Sequence, residues 1–314
     1  MNEAATSGSL PQQPVVRTRG VRKLYGTHAA LDGVDLEVQA GAVYGLVGPN
    51  GSGKTTLLSI LAGLRSVTSG DVELNVPHAR IGLLPDTPEF EPWLTATEVV
   101  DLSRNLVDPG IPRERVHEAL IDAGLGDALD RRCGGFSRGM LQRLGVAATL
   151  VSEPSLLLMD EPASALDPAG RREILNLIAE QRGRRTVIFS SHILADVQEV
   201  CDTVGVMQAG RLIYQGSLDA LLTGEATPTY YVRLRGDESA ARAEFERAPW
   251  VTAVEVVAPC ELRLSVTELG EAEREISGAL DRAGARVVSV RPEEASLERA
   301  FLELTAGSTP GGRP

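Results

Sequence analysis

The most constraining feature of the sequence is an eight-residue segment with the pattern GxxxxGK[ST]. Its residues are Gly48, Pro49, Asn50, Gly51, Ser52, Gly53, Lys54 and Thr55. The segment follows an apolar run, Val43–Val47, and precedes a stretch in which Leu57, Leu61 and Leu64 are spaced to share one helix face. Such glycines let backbone N–H groups turn toward one ligand, and a helix N-terminus adds its positive dipole end. The pattern predicts a phosphate-binding loop between a buried strand and a helix.

The side chains of this phosphate loop, residues 48–55, predict separate tasks. Lys54 is one of two lysines in the chain, with Lys23, and is expected to reach the β- and γ-phosphates of a nucleotide. The Thr55 hydroxyl is expected to ligate Mg²⁺, and Thr56 joins the binding set.

A second predicted strand, residues 155–159, ends in two acidic residues, Asp160 and Glu161. A carboxylate at the end of a buried strand beside a phosphate loop is where a divalent cation must be held. We therefore expect Asp160 to lie on the metal and Glu161 to act as the general base that polarises an attacking water.

Two further segments contribute polar groups ahead of or after predicted elements. Ser137, Arg138, Gly139 and Met140 open a helix, where the serine is a good N-cap and the free N–H groups favour an anion. His192 follows a strand over residues 186–189 and is expected to contact the γ-phosphate.

Composition excludes several classes of protein. The formal charge of -12 disfavours nucleic acid and anionic lipid as main partners. Three cysteines without a CxxC pair indicate neither a disulfide framework nor a zinc site. Residues 1–14 lack the features of a signal peptide, and no apolar run approaches the roughly 20 residues that span a bilayer.

The order of predicted elements indicates an α/β domain over residues 15–224, with a helical insertion at about 86–153. The insertion is expected to hold helices at 98–106, 113–123 and 140–151. A small α+β domain, residues 225–306, follows with the β-α-β-β-α-β order of ferredoxin-like folds. Residues 1–14 and 307–314 are predicted to be a disordered tail and a flexible tail.

Taken in order, these segments resemble the nucleotide-binding subunit of an ATP-binding cassette (ABC) transporter, in the drug and lipid exporter branch with an appended C-terminal domain. The resemblance covers residues 15–224 and implies a P-loop NTPase cassette with a mixed sheet. It identifies residues 48–55 as Walker A, residues 156–161 as Walker B with catalytic Glu161, and His192 as the switch histidine. It also implies that Tyr25 stacks on adenine, that residues 136–142 are the signature sequence, and that Asp167 lies in the D-loop.

The sequence departs from the family pattern at two positions. Asp86 stands where the family has a glutamine that ligates Mg²⁺, and a carboxylate oxygen is at least as good a ligand. Arg138 replaces a glycine of the signature; its charge either strengthens binding near a γ-phosphate or faces solvent, and the sequence does not choose between the two.

The resemblance implies an ATPase that binds ATP and Mg²⁺, pairs head to tail with a second copy or a related cassette, and powers two separately encoded permease subunits. That places it at the cytoplasmic face of the membrane, exporting a drug, lipid or other small substrate. Two alternatives are kept: a soluble ABC ATPase acting on ribosomes or DNA, and a small-molecule kinase.

Overall fold

The computed structural model describes residues 13–164, 166–223, 228–293 and 297–307. Contacts divide the chain into two compact units, Asp219–Ala300 and the remainder. The predicted tails lie mostly outside the described residues, as do Ala165 and residues 224–227, so the predicted boundary at 224 and 225 stays a prediction.

A six-stranded sheet forms the centre of the first unit, in the order β10-β9-β4-β8-β7-β6. Its strands are β4 (Val43–Val47), β6 (Ile81–Leu84), β7 (Leu156–Asp160), β8 (Thr186–Ser191), β9 (Thr203–Gln208) and β10 (Arg211–Ser217). Neighbours are parallel except β9 and β10, so the predicted mixed sheet is confirmed. Every residue of β4, β7 and β8 is buried, which explains their continuous apolar runs.

A smaller antiparallel sheet packs with the central one. Its strands are β1 (Val16–Tyr25), β2 (His28–Val34), β3 (Glu37–Val38) and β5 (Ser69–Leu74). One apolar core joins both sheets to helix α1 (Lys54–Leu61). The helix is shorter than the leucine spacing predicts, because Gly63 adopts φ 75° and the Leu64 N–H bonds to the Ser59 carbonyl, leaving Leu64 69% exposed.

The predicted helical insertion contains α2 (Ala96–Val107), α3 (Glu114–Asp122) and α4 (Arg138–Leu150) around a core of their own. Helix α2 begins with a capping box, in which Thr95 and Glu98 each bond to the other's backbone N–H. Three more helices follow along the chain: α5 (Pro168–Ala179) and α6 (Leu194–Val200) in the first unit, and α7 (Leu218–Thr223) at the boundary between the units.

The second unit has the predicted order β-α-β-β-α-β. Its elements are β11 (Thr229–Leu234), α8 (Ser239–Arg247), β12 (Val251–Ala258), β13 (Glu261–Val266), α9 (Leu269–Arg282) and β14 (Val287–Pro292), and α10 (Leu297–Gly307) follows. The antiparallel sheet has the order β12-β13-β11-β14 and shares its core with both helices. Within the described ranges, no helix is both long and apolar enough to cross a bilayer.

Candidate functional site

The predicted site residues lie where parallel strands of the central sheet end. Val47 of β4 pairs with Ser191 of β8, and Asp160 of β7 pairs with Ser190 of the same strand. The phosphate loop, Glu161 and His192 therefore leave the sheet at one edge. In open α/β sheets, ligands bind outside this carboxyl edge.

The phosphate loop packs so closely against the backbone that glycine is required. A Cβ atom at Gly48 would lie 2.3 Å from the Met207 carbonyl oxygen, and one at Gly53, where φ is 106°, would lie 2.5 Å from the Ala30 carbonyl oxygen. The first turn of α1 has no side-chain cap. Its N–H groups thus remain available to an anion.

Lys54 folds back over this loop. Its ammonium donates to the Gly48 carbonyl at 2.7 Å and to the Pro49 carbonyl at 3.3 Å, and it lies 3.7 Å from Glu161 Oε1. The residue is only 6% exposed. A buried ammonium held by carbonyl oxygens can exchange them for phosphate oxygens, which carry full charge.

Glu161 joins Lys54 to His192. Its Oε2 lies 2.8 Å from His192 Nδ1 and accepts from the His192 N–H at 3.4 Å. Its Oε1 is buried and has no hydrogen-bond partner in the described part of the chain. The backbone at Glu161 has φ 47°, a left-handed conformation that costs a non-glycine residue energy and is concentrated at functional sites.

Ser190 was not predicted as a site residue, yet it fixes both acidic residues. Its hydroxyl donates to Asp160 Oδ1 at 2.5 Å and accepts from the Glu161 N–H at 2.9 Å. Asp160 is 3% exposed. A hydroxyl at the end of an apolar strand next to an acidic strand end was the available signal in the sequence.

Two of the three predicted metal ligands have hydrogen-bond partners of their own. Asp160 bonds to Ser190, whereas exposed Asp86 accepts from the Ser164 hydroxyl at 3.2 Å. Thr55 is exposed in the first turn of α1. Among the described residues, no group of three or more His, Cys, Asp or Glu side chains could hold a metal ion.

The predicted signature residues help to line a cavity of about 590 Å³. Ser137 caps α4 by accepting from the Met140 N–H at 3.2 Å, and Arg138 is exposed. Ser137, Arg138, Gly139, Met140 and Asp167 all line the cavity. Asp167 caps α5 by accepting from the Gly170 N–H at 2.9 Å. The predicted signature residues and Asp167 thus share one surface, whose lining residues do not include the phosphate loop.

Tyr25 lies at the end of β1 and is 42% exposed. Its hydroxyl accepts from Arg65 at 2.5 Å, and the Lys23 ammonium lies 5.3 Å from its ring centroid. These cations lie within cation–π range of the ring that was predicted to stack on adenine.

The sequence did not reveal an ion pair between half-buried Arg171 and buried Asp196. Arg171 of α5 donates to Asp196 of α6 at 2.5 and 2.7 Å. Burial raises the pKa of the Asp196 carboxyl above its usual value, and the Arg171 hydrogen bond opposes that shift. This pair joins the helix after Asp167 to the helix after His192.

A phosphate loop at the carboxyl edge of a mainly parallel sheet, with a strand-end carboxylate beside it, defines a P-loop nucleoside triphosphatase. Comparison with known proteins narrows that class. Residues 31–164 match the family described as ABC transporter. The uncharacterized ABC transporter ATP-binding protein YxlF of Bacillus subtilis (strain 168) is 34% identical over 290 residues, covering 90% of this chain and 96% of that protein. The chain belongs to the ABC transporter family, as an ATP-binding ATPase subunit.

Two other similarities bear on its function. The daunorubicin resistance ATP-binding protein DrrA3 of Streptomyces coeruleorubidus is 33% identical, with 91% of this chain and 94% of that protein covered. The solved dimeric structure of the cassette MJ0796, in a post-hydrolysis state bound to ADP and Pi, is 25% identical with a TM-score of 0.61. That match covers 65% of this chain and 98% of the other. These relatives favour the transporter interpretation over the ribosome, DNA and kinase alternatives.

Proposed function

We propose that this ATPase uses Glu161 as its general base and Lys54 and His192 as phosphate contacts, and that it drives a separately encoded exporter permease. The observation that carries the proposal is the position of the Glu161 carboxylate between the Lys54 ammonium and the His192 ring. One carboxylate oxygen is held by histidine, and the other is buried without a hydrogen-bond partner among the described residues.

The phosphate loop binds the nucleotide. Its backbone N–H groups and the uncapped start of α1 supply donors, and Lys54 exchanges the Gly48 and Pro49 carbonyls for β- and γ-phosphate oxygens. Ser52 Oγ, which is buried without a hydrogen-bond partner in the described chain, adds a hydroxyl inside the loop. Tyr25 is proposed to stack on the base after its cationic neighbours shift.

Hydrolysis requires a water aligned with the γ-phosphate and a group that takes its proton. Glu161 Oε1 takes that proton in the proposed mechanism, while Oε2 stays bonded to His192. His192 therefore positions the base as well as contacting the γ-phosphate. The Ser190 hydroxyl accepts from the Glu161 N–H and so fixes the backbone from which the Glu161 side chain extends.

The residues fit Mg²⁺ by the chemistry of their donors. Asp160, Asp86 and the Thr55 hydroxyl all offer oxygen atoms, which this cation prefers. When bound, the ion offsets negative charge on the β- and γ-phosphates. The place of Asp86 in this set is a proposal that a Mg²⁺ titration can test.

A head-to-tail dimer completes each site in this proposal. The signature residues and Asp167 line a cavity whose lining does not include the phosphate loop of the same chain. A second copy, or a related cassette, would present Ser137 and Gly139 to the ATP held by Lys54. The dimeric state of the similar MJ0796 cassette supports this arrangement.

Two permease subunits are the proposed membrane partners, with the cassette at the cytoplasmic face. The similarity to a daunorubicin resistance protein supports export of a drug-like substrate. ATP-driven pairing and release of the two cassettes would be converted into alternating access in the permease.

The test is purification of the tagged chain from gently solubilised membranes of its source cells, with mass spectrometry of what co-purifies. We expect a polytopic membrane protein in stoichiometric amount and ATP hydrolysis by the complex. The matched control is a chain tagged in the same way and carrying Lys54→Ala, which should keep the partner and lose hydrolysis. Ribosomal or DNA-repair proteins with no permease would contradict the proposed function.

A further inference from the structure

Four arginines gather at the opposite edge of the central sheet from the nucleotide site. Arg80 directly precedes β6, and Arg184 and Arg185 directly precede β8. The register aligns Ile81 with Leu156 and Leu156 with Thr186. Arg80 and Arg185 therefore flank the start of β7 at the amino edge, about two strand spacings, or roughly 10 Å, apart.

Arg115 of α3 reaches the same place. One of its terminal nitrogens donates to Glu153 at 3.2 Å, and another bonds to Glu118. Glu153 lies in the turn between α4 and β7, and Arg80 donates to the Ser155 hydroxyl at 3.4 Å in that turn. We call Arg80, Arg115, Arg184 and Arg185 the amino-edge arginine cluster.

The amino-edge arginine cluster carries more positive charge than its partners offset. Among the described residues, its four guanidinium groups share two carboxylates, those of Glu153 and Glu118. Arg184 has no side-chain partner among the described residues. The chain as a whole has a formal charge of -12, so this local excess of positive charge is opposite in sign to the net charge of the protein.

Two donors in the cluster are buried and unpaired. Within the described chain, Arg115 Nε and one terminal nitrogen of Arg185 have no hydrogen-bond partner. Burial lowers the pKa of Arg185, attraction to Glu153 opposes this, and repulsion from Arg115, Arg184 and Arg80 adds to it. A buried donor left without an acceptor is costly, and a bound anion would remove that cost.

We propose that the amino-edge arginine cluster is a binding site for a phosphate group, separate from the nucleotide site. A phosphate or phosphate monoester carries about two negative charges near neutral pH, equal to the local excess, and offers several acceptor oxygens. Planar guanidinium groups match such oxygens in pairs. The source of the phosphate is either a soluble small molecule or a lipid headgroup.

The test titrates inorganic phosphate into the full chain at constant ionic strength and follows the heat of binding. A non-hydrolysable ATP analogue with Mg²⁺ first fills the phosphate loop, so that phosphate cannot bind there. We expect Arg185→Gln to weaken phosphate binding about tenfold, the loss of one charge-assisted hydrogen bond. Arg80→Gln with Arg184→Gln should weaken it further, and both of these side chains are exposed, so the double variant should fold.

Arg182→Gln is the matched control. It removes the same charge from the same loop, but Arg182 bonds to Asp202 and to the Val200 carbonyl instead of facing the cluster. Phosphate affinity should be unchanged in this variant. An equal loss in Arg182→Gln and in Arg185→Gln, or no loss in either, would overturn the proposal.

Vesicle sedimentation identifies the source. Binding to phosphatidylglycerol vesicles that is lost in the Arg80→Gln, Arg184→Gln double variant assigns the site to a lipid headgroup, and phosphate binding without vesicle binding assigns it to a soluble ligand. Failure of the wild-type chain to bind either probe would overturn the site. Because the phosphate loop is filled throughout, these results do not depend on the proposed catalytic roles.

Discussion

His192 Nδ1 lies 2.8 Å from Glu161 Oε2, and this contact joins the ends of two adjacent parallel strands. The other carboxylate oxygen of Glu161 lies 3.7 Å from the Lys54 ammonium. One acidic side chain therefore contacts both the phosphate loop and the histidine. These contacts of Glu161 give a separate prediction for Glu161, His192 and Lys54.

Replacing Glu161 with glutamine should abolish most hydrolysis while ATP still binds. Glutamine keeps the size of the side chain but cannot accept the proton of the attacking water, so we expect turnover to fall by about 10²- to 10⁴-fold. Phosphate release measures turnover, and size-exclusion chromatography with ATP should show an accumulated dimer. Glu180→Gln, an exposed glutamate at the end of α5, is the control. Normal turnover in Glu161→Gln would remove the assignment of the base.

Replacing His192 with alanine should lower turnover by an amount that is not additive with the first substitution. The histidine acts partly through Glu161, because it holds Oε2. The Glu161→Gln, His192→Ala double variant should therefore be little slower than the slower single variant. Turnover rates of the wild type, the two single variants and the double variant give the coupling free energy between Glu161 and His192. Strictly multiplicative losses would show that the two residues act independently.

Replacing Lys54 with alanine should weaken ATP binding by at least about tenfold, because a charge-assisted contact to the phosphates is lost. Fluorescence titration with a labelled nucleotide measures the affinity. Arg172→Ala removes a positive charge from an exposed site on α5 and should leave affinity unchanged. Tight binding by the Lys54 variant would be incompatible with the phosphate-loop assignment.

Replacing Asp86 with glutamine should raise the Mg²⁺ concentration needed for half-maximal hydrolysis by about tenfold, as expected when one oxygen donor near a metal loses its charge. ATP hydrolysis measured across a Mg²⁺ series gives this value. Ser164→Ala is the matched control, because it breaks the 3.2 Å bond to Asp86 and leaves the carboxylate in place. An identical Mg²⁺ dependence in wild type and Asp86→Gln would place Asp86 outside the metal set.

Replacing Asp101 with asparagine should destabilise the helical insertion in a way that depends on pH. A hydrogen bond from Arg104 lowers the pKa of the Asp101 carboxyl below its ordinary value of 3.8, with help from Arg113, and burial opposes the shift. The ionised carboxylate therefore stabilises the fold above pH 3.8, and that stability is lost as the pH falls through the folded-state pKa.

Near neutral pH we expect the Asp101→Asn variant to lose about 2 kcal/mol, since 6%-exposed Arg104 keeps only neutral acceptors. Thermal melts at a series of pH values measure the difference, which should shrink as the pH falls below 3.8. Asp71→Asn, at an exposed position in β5, is the control. A difference that grew on acidification would contradict the sign of the shift.

Local patterns predicted most of the fold because the strands and helices that carry the site are strongly marked. Val43–Val47 was predicted with its observed bounds, and the three insertion helices were each found within two residues of their predicted ends. Leu64 was wrongly included in the first helix, because a glycine turn ended the helix before apolar spacing did. Periodic spacing of apolar residues identifies the buried face of a helix but not the residue at which the helix ends.

The residues of the site were predicted better than the contacts between them. Lys54, Glu161 and His192 were chosen for their motifs, and the structure places them in one chain of contacts. The sequence did not reveal Ser190, because a serine at the end of a strand is common. The amino-edge arginine cluster was also missed, since its members are far apart in the chain and meet only through the pairing of β6, β7 and β8.

The burial of the three central strands determines which parts of the molecule unfold locally. Every residue of β4, β7 and β8 is buried, whereas β5 carries no buried residue and β10 is largely accessible. Amide hydrogens of the central strands should therefore exchange with solvent only in the rarest, most extensive openings. Since the phosphate loop, Glu161 and His192 are attached directly to these strands, the arrangement proposed to contact the nucleotide should persist through fluctuations that open the edges of the sheets.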